Sequence, residues 1–379
     1  MQNQKARANS YFAFCYPILA QASDAIFAAI MQTAIHNKAR FNYNNQSFDV
    51  MQFCAFQTSV PWLIDVQNVA RFWLEKSEHL ELQTSGSTGI PKKIVLPKAV
   101  LQQSATATLR AFNLKEENKA VLFLPCAFVG GKMMVIRTLV GGLHLHLVEP
   151  KLALPALQDD VDFIALTPMQ AANSISQLNN FSTVLLGGGP VPFQLEEALQ
   201  KVSAKVFHSY GMTETASHIA LRKVNGVDTN NRFYALEGVR FRQDARQCLV
   251  IDAPLWQVSD LVTNDVVELL DDSHFVWKGR ADNVINSGGI KIFPEEIEKQ
   301  LEAQIHQPFF VGSVNDAKSG ERLVLFVEGV TAPKIDFSVL KKQLQPKKVA
   351  VVPAFVFTGT DKINREKTIE AFLIAEEKA

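Results

Sequence analysis

Apolar residues fall along the chain in short runs that stop at proline or glycine. Residues 121–124 (VLFL), 163–166 (FIAL) and 184–186 (VLL) are apolar throughout, and Pro125, Pro168 and Gly187-Gly188-Gly189 close them off. Runs of this length, without polar alternation and bounded by turn formers, read as strands buried on both faces. Helix-compatible segments lie between them, at 133–139, at 169–178, and from Pro192 through Leu195 and Ala198 to Val202. Residues 206–208 add another strand, which ends at Tyr210-Gly211. Strands alternating with helices predict a parallel sheet covered on both sides.

The pattern changes after about Asp228. Residues 238–252, 266–270 and 274–278 alternate in the manner of antiparallel strands. Pro294 then suits the first position of a helix, with Glu295 and Glu296 near its positive end and Ile297, Leu301 and Ile305 forming a buried stripe. The expected fold class is therefore α/β: a large N-terminal domain, 1–281, with parallel sheet plus antiparallel strands, and a small α+β C-terminal domain, 282–379. There is no internal repeat or low-complexity tract.

Composition narrows the function classes. Lys plus Arg equals Asp plus Glu at 38 each, so no general electrostatic attraction to nucleic acid or anionic membrane is expected. Cys15, Cys54, Cys126 and Cys248 are scattered without a CxxC pair, which argues against zinc or a disulfide framework and suits the cytoplasm. Lys5 and Arg7 before the apolar residues 11–20 have the outline of a secretory signal, but Pro17 interrupts a run already short for that purpose. The next residues, Ala25, Ile26, Ala29, Ile30, Ala34 and Ile35, continue as an amphipathic helix able to bury it. No membrane insertion is expected, because no stretch approaches the ~20 apolar residues of a span.

Chemistry enters with TSGSTGIPKK, Thr84 to Lys93. Small residues let the backbone approach a ligand, and hydroxyls and N–H groups can surround phosphate oxygens. Such a loop can also be a plain flexible turn. Pro91, where a Walker A loop needs glycine, rules out that motif. The second constellation is HSYGMTETASH, His208 to His218, at the carboxyl end of a strand, where open α/β sheets bind ligands. Glu214 there offers a hard oxygen donor suited to Mg²⁺ held partly by phosphates. A lone glutamate is more often a solvated surface residue.

Taken in order, TSGSTGIPKK, GGGPVP, YGMTET, the Asp of TND, GRADNVINSGG and the late Lys of DKINR resemble the adenylate-forming superfamily of acyl-CoA synthetases, luciferases and peptide-synthetase adenylation domains. The resemblance covers roughly residues 80–365. It implies ATP, Mg²⁺ and coenzyme A as cofactors or co-substrates, a small-molecule carboxylic acid as partner, and a small domain that rotates. It is compatible with a homodimer. The implied phosphate loop is Thr84, Ser85, Gly86, Ser87, Thr88, Gly89 and Lys92. Gly187, Gly188, Gly189, Tyr210 and Gly211 match the adenine-holding segments. Thr213 is implied at the α-phosphate and acyl carboxylate, Glu214 at Mg²⁺, Asp265 at the ribose hydroxyls with Arg280 beside it, and Asp282 at the hinge. Lys362 matches the catalytic lysine, and Gly288 and Gly289 the loop lining the pantetheine tunnel.

The chain departs from the family pattern in places. Asp361 stands where glycine usually precedes the lysine, which keeps Lys367 as an alternative, and Thr263-Asn264-Asp265 replaces TGD. The short region before the phosphate loop implies a reduced N-terminal subdomain. The run YGMTETASHIALR looks most like that of o-succinylbenzoate–CoA ligases, whose acid retains a second carboxylate. Lys132, Arg137, His218 and Arg222 are the candidate donors for that anion. Each could equally be a solvated or structural side chain. Gly130-Gly131 could open a helix toward the acyl pocket or serve close packing, and Lys341, Lys342, Lys347 and Lys348 could meet CoA phosphates or form a solvated face.

Overall fold

The computed structural model describes residues 36–83, 93–157, 160–357 and 363–377. Its strands are β1 (Arg40–Tyr43), β2 (Gln46–Phe48), β3 (His79–Gln83), β4 (Lys93–Pro97), β5 (Lys119–Leu122), β6 (His144–Leu147), β7 (Val161–Leu166), β8 (Phe181–Leu186), β9 (Lys205–Gly211) and β10 (His218–Lys223). There follow β11 (Arg232–Ala235), β12 (Arg240–Gln243), β13 (Cys248–Ala253), β14 (Val258–Leu269), β15 (His274–Arg280), β16 (Ile285–Ser287), β17 (Ile290–Ile292), β18 (Phe309–Asp316), β19 (Gly320–Glu328) and β20 (Lys348–Val352). The helices are α1 (Val50–Ala55), α2 (Pro61–Leu74), α3 (Lys98–Ala111), α4 (Val129–Gly141), α5 (Pro168–Ala172), α6 (Phe193–Leu199), α7 (Pro294–Leu301) and α8 (Arg365–Glu377).

One 13-stranded sheet runs β12-β13-β14-β15-β11-β10-β9-β8-β7-β5-β6-β1-β2. Pairs from β9 through β8, β7, β5 and β6 to β1 are parallel, as the apolar runs predict. Their alternate residues feed two cores. Ala120, Leu122, Phe163, Ala165 and Leu185 face one layer, while Val121, Ile164, Leu166, Val184, Leu186 and Val206 face the other. That two-sided burial is why no polar alternation is visible in these strands.

The antiparallel strands continue the same sheet rather than forming a separate one, because β10 folds back onto β9 and β11 onto β10. A second, five-stranded sheet begins at Ile285 and packs α7 through Ile297 and Leu301; the helix ends at Leu301, so Ile305 of the predicted stripe joins this core from beyond it. The helix expected over 169–178 breaks instead. Thr167 and Gln170 cap the short α5 reciprocally, and a 3₁₀ turn takes Ile175–Asn180. The Gln170 amide then donates to the Phe123 and Lys151 carbonyls, which ties the turn to the end of β5.

Polar contacts join the two sheets. Glu302 accepts from the Phe193 N–H at 2.8 Å, and its own carbonyl accepts from the Gln194 amide. Lys278 bridges Glu268 and Glu296 at 2.9 and 3.2 Å. No helix is long and apolar enough to cross a membrane among the described residues. The N-terminal apolar segment of the sequence lies outside them.

Candidate active site

The carboxyl ends of β8 and β9 build the centre of the site. Gly187, Gly188 and Gly189 follow β8, and Gly188 has φ +86°. A Cβ on Gly187 would lie 2.7 Å from Ser209 Oγ, whose hydroxyl donates to the Leu186 carbonyl at 2.8 Å. Glycine there lets the two strand ends close on each other. The His208 ring contacts the Gly189 carbonyl at 3.1 Å, and burial together with Arg222 pulls its pKa down to about 4. A neutral ring that accepts from Arg222 at Nδ1 therefore donates to Gly189 from Nε2.

Beyond β9 the chain must reverse within a few residues. Gly211 permits this, since a Cβ would meet the Ser217 carbonyl at 2.2 Å. Thr213–Thr215 form a 3₁₀ turn, and the Thr215 hydroxyl bonds Met212 and Ser217. Ala216 is fully buried at φ +61°, a strained conformation costing about 1–3 kcal/mol that the turn must hold in place. The turn leaves Glu214 exposed, with no hydrogen bond or ion pair among the described residues, and Thr213 half-exposed beside it. A free carboxylate at the carboxyl end of β9 fits a magnesium ion shared with phosphates and water.

Asp265 is the second focus. It sits on β14 opposite Arg280 of β15 and is nearly buried. Its Oδ2 accepts from the Tyr210 hydroxyl at 2.6 Å, and its Oδ1 accepts from Trp277 Nε1 at 3.2 Å and Arg280 at 3.5 Å. Burial, reinforced by the Asp265 charge, raises the Tyr210 pKa well above its ordinary value, so the phenol stays a donor. Arg280 also reaches Asp282 at 3.2 Å, and the Asn264 amide lies 3.4 Å from both Asp282 oxygens.

Trp277 escaped the sequence reading for a geometric reason. Strict alternation puts residues 277 and 280 on opposite faces. The register jumps from Val266↔Gly279 to Val267↔Trp277, so Lys278 is an extra residue and the bulge turns Trp277 to the Asp265 side. Asn264 stands where the family pattern has glycine. Its amide supplies a donor to Asp282 that a glycine would not.

The third focus is buried. Arg137 on α4 is 2% exposed, and His218 at the start of β10 is 4% exposed. Arg137 donates to Ser217 Oγ at 2.9 Å and lies 3.6 Å from Met134 Sδ. Its Nε and His218 Nε2 are buried without a hydrogen-bond partner among the described residues. Burial lowers the guanidinium pKa to about 9.

The other two candidates are engaged elsewhere. Lys132 donates to the Cys126 carbonyl at 2.6 Å, closing the turn before α4. Arg222 pairs with Glu196 of α6. A Cβ on Gly131 would lie 2.3 Å from the Pro125 carbonyl, so close packing explains that glycine.

In the five-stranded sheet, Gly288 and Gly289 form the two-residue turn between β16 and β17, with φ +58° and +80°. Only glycine, asparagine or aspartate adopts that pair easily. Gly288 borders a cleft of about 340 Å³ that also meets Lys318, Arg322, Gln343 and Lys347.

Comparison with known proteins places this geometry. Residues 82–238 match the family of AMP-binding enzymes. An acyl-CoA synthetase (AMP-forming)/AMP-acid ligase II-like protein from Dyadobacter fermentans is 32% identical, and its structure superposes with a TM-score of 0.58 over 85% of this chain and 98% of that one. The chain belongs to the AMP-binding enzyme family. The 2-succinylbenzoate–CoA ligase of Salmonella typhimurium is 28% identical over 269 residues, 65% of this chain and 57% of that protein. This family member thus spans a little over half the length of that curated relative. The O-succinylbenzoate coenzyme A synthetase of Bacillus subtilis, in complex with ATP and magnesium ion, shares the fold at 20% identity, with a TM-score of 0.63 over 76% of this chain and 69% of that one.

Within this AMP-binding fold, Tyr210, Asp265, Arg280 and Asp282 form one hydrogen-bonded chain, and Arg137 and His218 share Ser217. Thr84, Ser85, Gly86, Ser87, Thr88, Gly89, Lys92 and Lys362 lie outside the described residues. Lys367 is exposed in the first turn of α8. Among the described residues no cluster of three His, Cys, Asp or Glu could hold a metal by itself.

Arg222→Met is expected to destabilise the chain by about 3–5 kcal/mol, because it strands a largely buried Glu196. The KM for the acid should stay within about twofold in chemical denaturation and kinetic assays run side by side.

Proposed function

We propose that this chain uses ATP to convert a dicarboxylic aromatic acid, most simply 2-succinylbenzoate, into its acyl-adenylate and then its CoA thioester. The observation that carries the acid is Arg137, a buried guanidinium with no carboxylate partner among the described residues. A buried cation without a counter-ion is costly unless a ligand supplies one. A carboxylate retained on the substrate would supply it, and a fatty acid would not. The names of the curated relatives agree with this acid.

The chemistry follows from the groups on hand. A carboxylate is a weak electrophile, so its oxygen attacks the α-phosphorus of ATP, forming an acyl–phosphate bond as pyrophosphate leaves. The thiol of CoA then attacks the acyl carbon, and AMP leaves with the electron pair of the broken bond. Asp265 accepts from the ribose hydroxyls, while Tyr210, Trp277 and Arg280 fix its orientation. Thr213 donates toward the α-phosphate and the entering carboxylate. Glu214 would hold magnesium, which offsets charge on the phosphates. Lys92 and the Thr84–Gly89 loop would embrace the leaving pyrophosphate.

For the thiol substrate, the cleft beside Gly288 places Lys318, Arg322 and Lys347 against one carboxylate, Asp316. Three cations to one anion suit the nucleotide phosphates of CoA and favour free CoA over a carrier-bound pantetheine. The double variant Arg322→Gln, Lys347→Gln should raise the KM for CoA about tenfold or more at low salt and leave that for pantetheine unchanged, in a thioester-formation assay.

The function is tested by pyrophosphate release across aromatic and dicarboxylic acids, with and without CoA. Release with 2-succinylbenzoate, and AMP plus thioester when CoA is added, is the expected result. Release with benzoate or octanoate but not with 2-succinylbenzoate would remove this acid.

A further inference from the structure

Resting on the dicarboxylic reading above, we infer that His218 is a second substrate-reading residue, presenting its Nε2–H to the retained carboxylate beside Arg137. The geometry assigns its tautomer. Ser217 Oγ lies 2.9 Å from Arg137 and 3.2 Å from His218 Nδ1, and these are its two contacts among the described residues. Arginine has no lone pair to offer, so the hydroxyl accepts from Arg137 and its own proton goes to Nδ1. The reverse choice would leave the serine proton without an acceptor.

With Nδ1 accepting, the imidazole proton sits on Nε2. That atom is buried and without a hydrogen-bond partner among the described residues, as is Arg137 Nε. Two buried donors joined through one serine call for a group that only accepts. A carboxylate has lone pairs for both, whereas an ammonium or a hydrocarbon end satisfies neither.

The surroundings keep the ring in this form. Phe112 lies against it with ring centroids 6.4 Å apart, and Ala216 and Ile219 on either side are fully buried. The charged group facing it is Arg137 from α4, and burial together with that charge holds its pKa well below the ordinary value. One cation plus one neutral donor makes the site selective for a single negative charge. His218 is a signal that spacing alone could not interpret, because the relay depends on α4 meeting β10.

The test compares 2-succinylbenzoate with its two monocarboxylic analogues, in which one or the other carboxyl is replaced by hydrogen. Pyrophosphate release is measured for the wild type, His218→Leu and His218→Gln. His218→Leu should lower kcat/KM for the diacid about 10- to 100-fold, while its kcat/KM for the analogue still turned over, and the KM for ATP, change less than about threefold. His218→Gln, which keeps a donor at similar reach, should recover most of the loss. A second readout uses wild-type chain with ¹⁵N-histidine, where diacid binding should shift an Nε2–H resonance and leave Nδ1 unprotonated. Equal losses for diacid and monoacid, no loss in His218→Leu, or a protonated Nδ1 would each overturn the assignment. A wild type that releases pyrophosphate with no diacid would instead overturn the functional reading beneath it.

Discussion

Arg137→Met is expected to make the chain more stable and nearly inactive toward a dicarboxylic acid. The guanidinium is 2% exposed and its described partners are a serine hydroxyl and a thioether. Taking such a charge out of water costs several kcal/mol that no carboxylate among the described residues returns. The sign of the pH dependence follows from the pKa, which burial lowers from its ordinary value to about 9. The unfolded chain holds this proton more tightly, so the penalty is fully present below about pH 9 and fades as pH rises above it. Methionine fills similar space without charge, and the unfolding midpoint should rise at neutral pH by the equivalent of about 1–4 kcal/mol.

Activity should move the other way. A ligand carboxylate facing methionine loses its charge-assisted bonds at a buried position, worth about 2–5 kcal/mol, or roughly 30- to several-thousand-fold in kcat/KM. Thermal unfolding and pyrophosphate release on one preparation check both halves. A variant that loses stability and activity together would make Arg137 a structural residue and remove the main support for a dicarboxylic substrate.

Lys362→Ala is expected to slow adenylation by about 10²–10³-fold, the usual effect of deleting one preorganised charge that faces the reacting phosphate. Thioester formation from preformed acyl-adenylate and CoA should be nearly unchanged, on the proposal that the C-terminal region presents different groups in the two half-reactions. Lys367→Ala is the comparison, since that side chain is exposed in the first turn of α8 and should change neither half-reaction more than twofold. Single-turnover measurement of each step decides between them. Equal loss in both steps for Lys362→Ala, or a specific adenylation defect in Lys367→Ala, would move the catalytic role.

Much of the fold was written in local pattern. Unbroken apolar runs at residues 121–124, 163–166 and 184–186 belong in a parallel sheet because burial on both faces demands them, and the cores on either side of that sheet are the result. Ile297 and Leu301 marked a helix face for the same reason, and Ile305 reaches the same core from beyond the end of that helix. The reaction class was legible because the motifs around Tyr210, Asp265 and Gly288 have backbone requirements that few other residues meet, such as the close approach at Gly211.

What the sequence alone could not supply was which polar side chains meet. Arg137, His218, Lys132 and Arg222 stood as equals there, since each is a polar residue close to a motif. Folding separates them. Glu196 of α6 takes Arg222 and the Cys126 carbonyl takes Lys132, while the bond from α4 to Ser217, just before β10, leaves Arg137 and His218 joined through that serine. A bulge of one residue turns Trp277 toward Asp265. The sequence by itself determined the sheet, its order of motifs and the kind of chemistry, because those rest on periodicity and backbone constraint. Only the tertiary structure decided which cation is left without a partner, because pairing depends on distances between elements far apart in the chain.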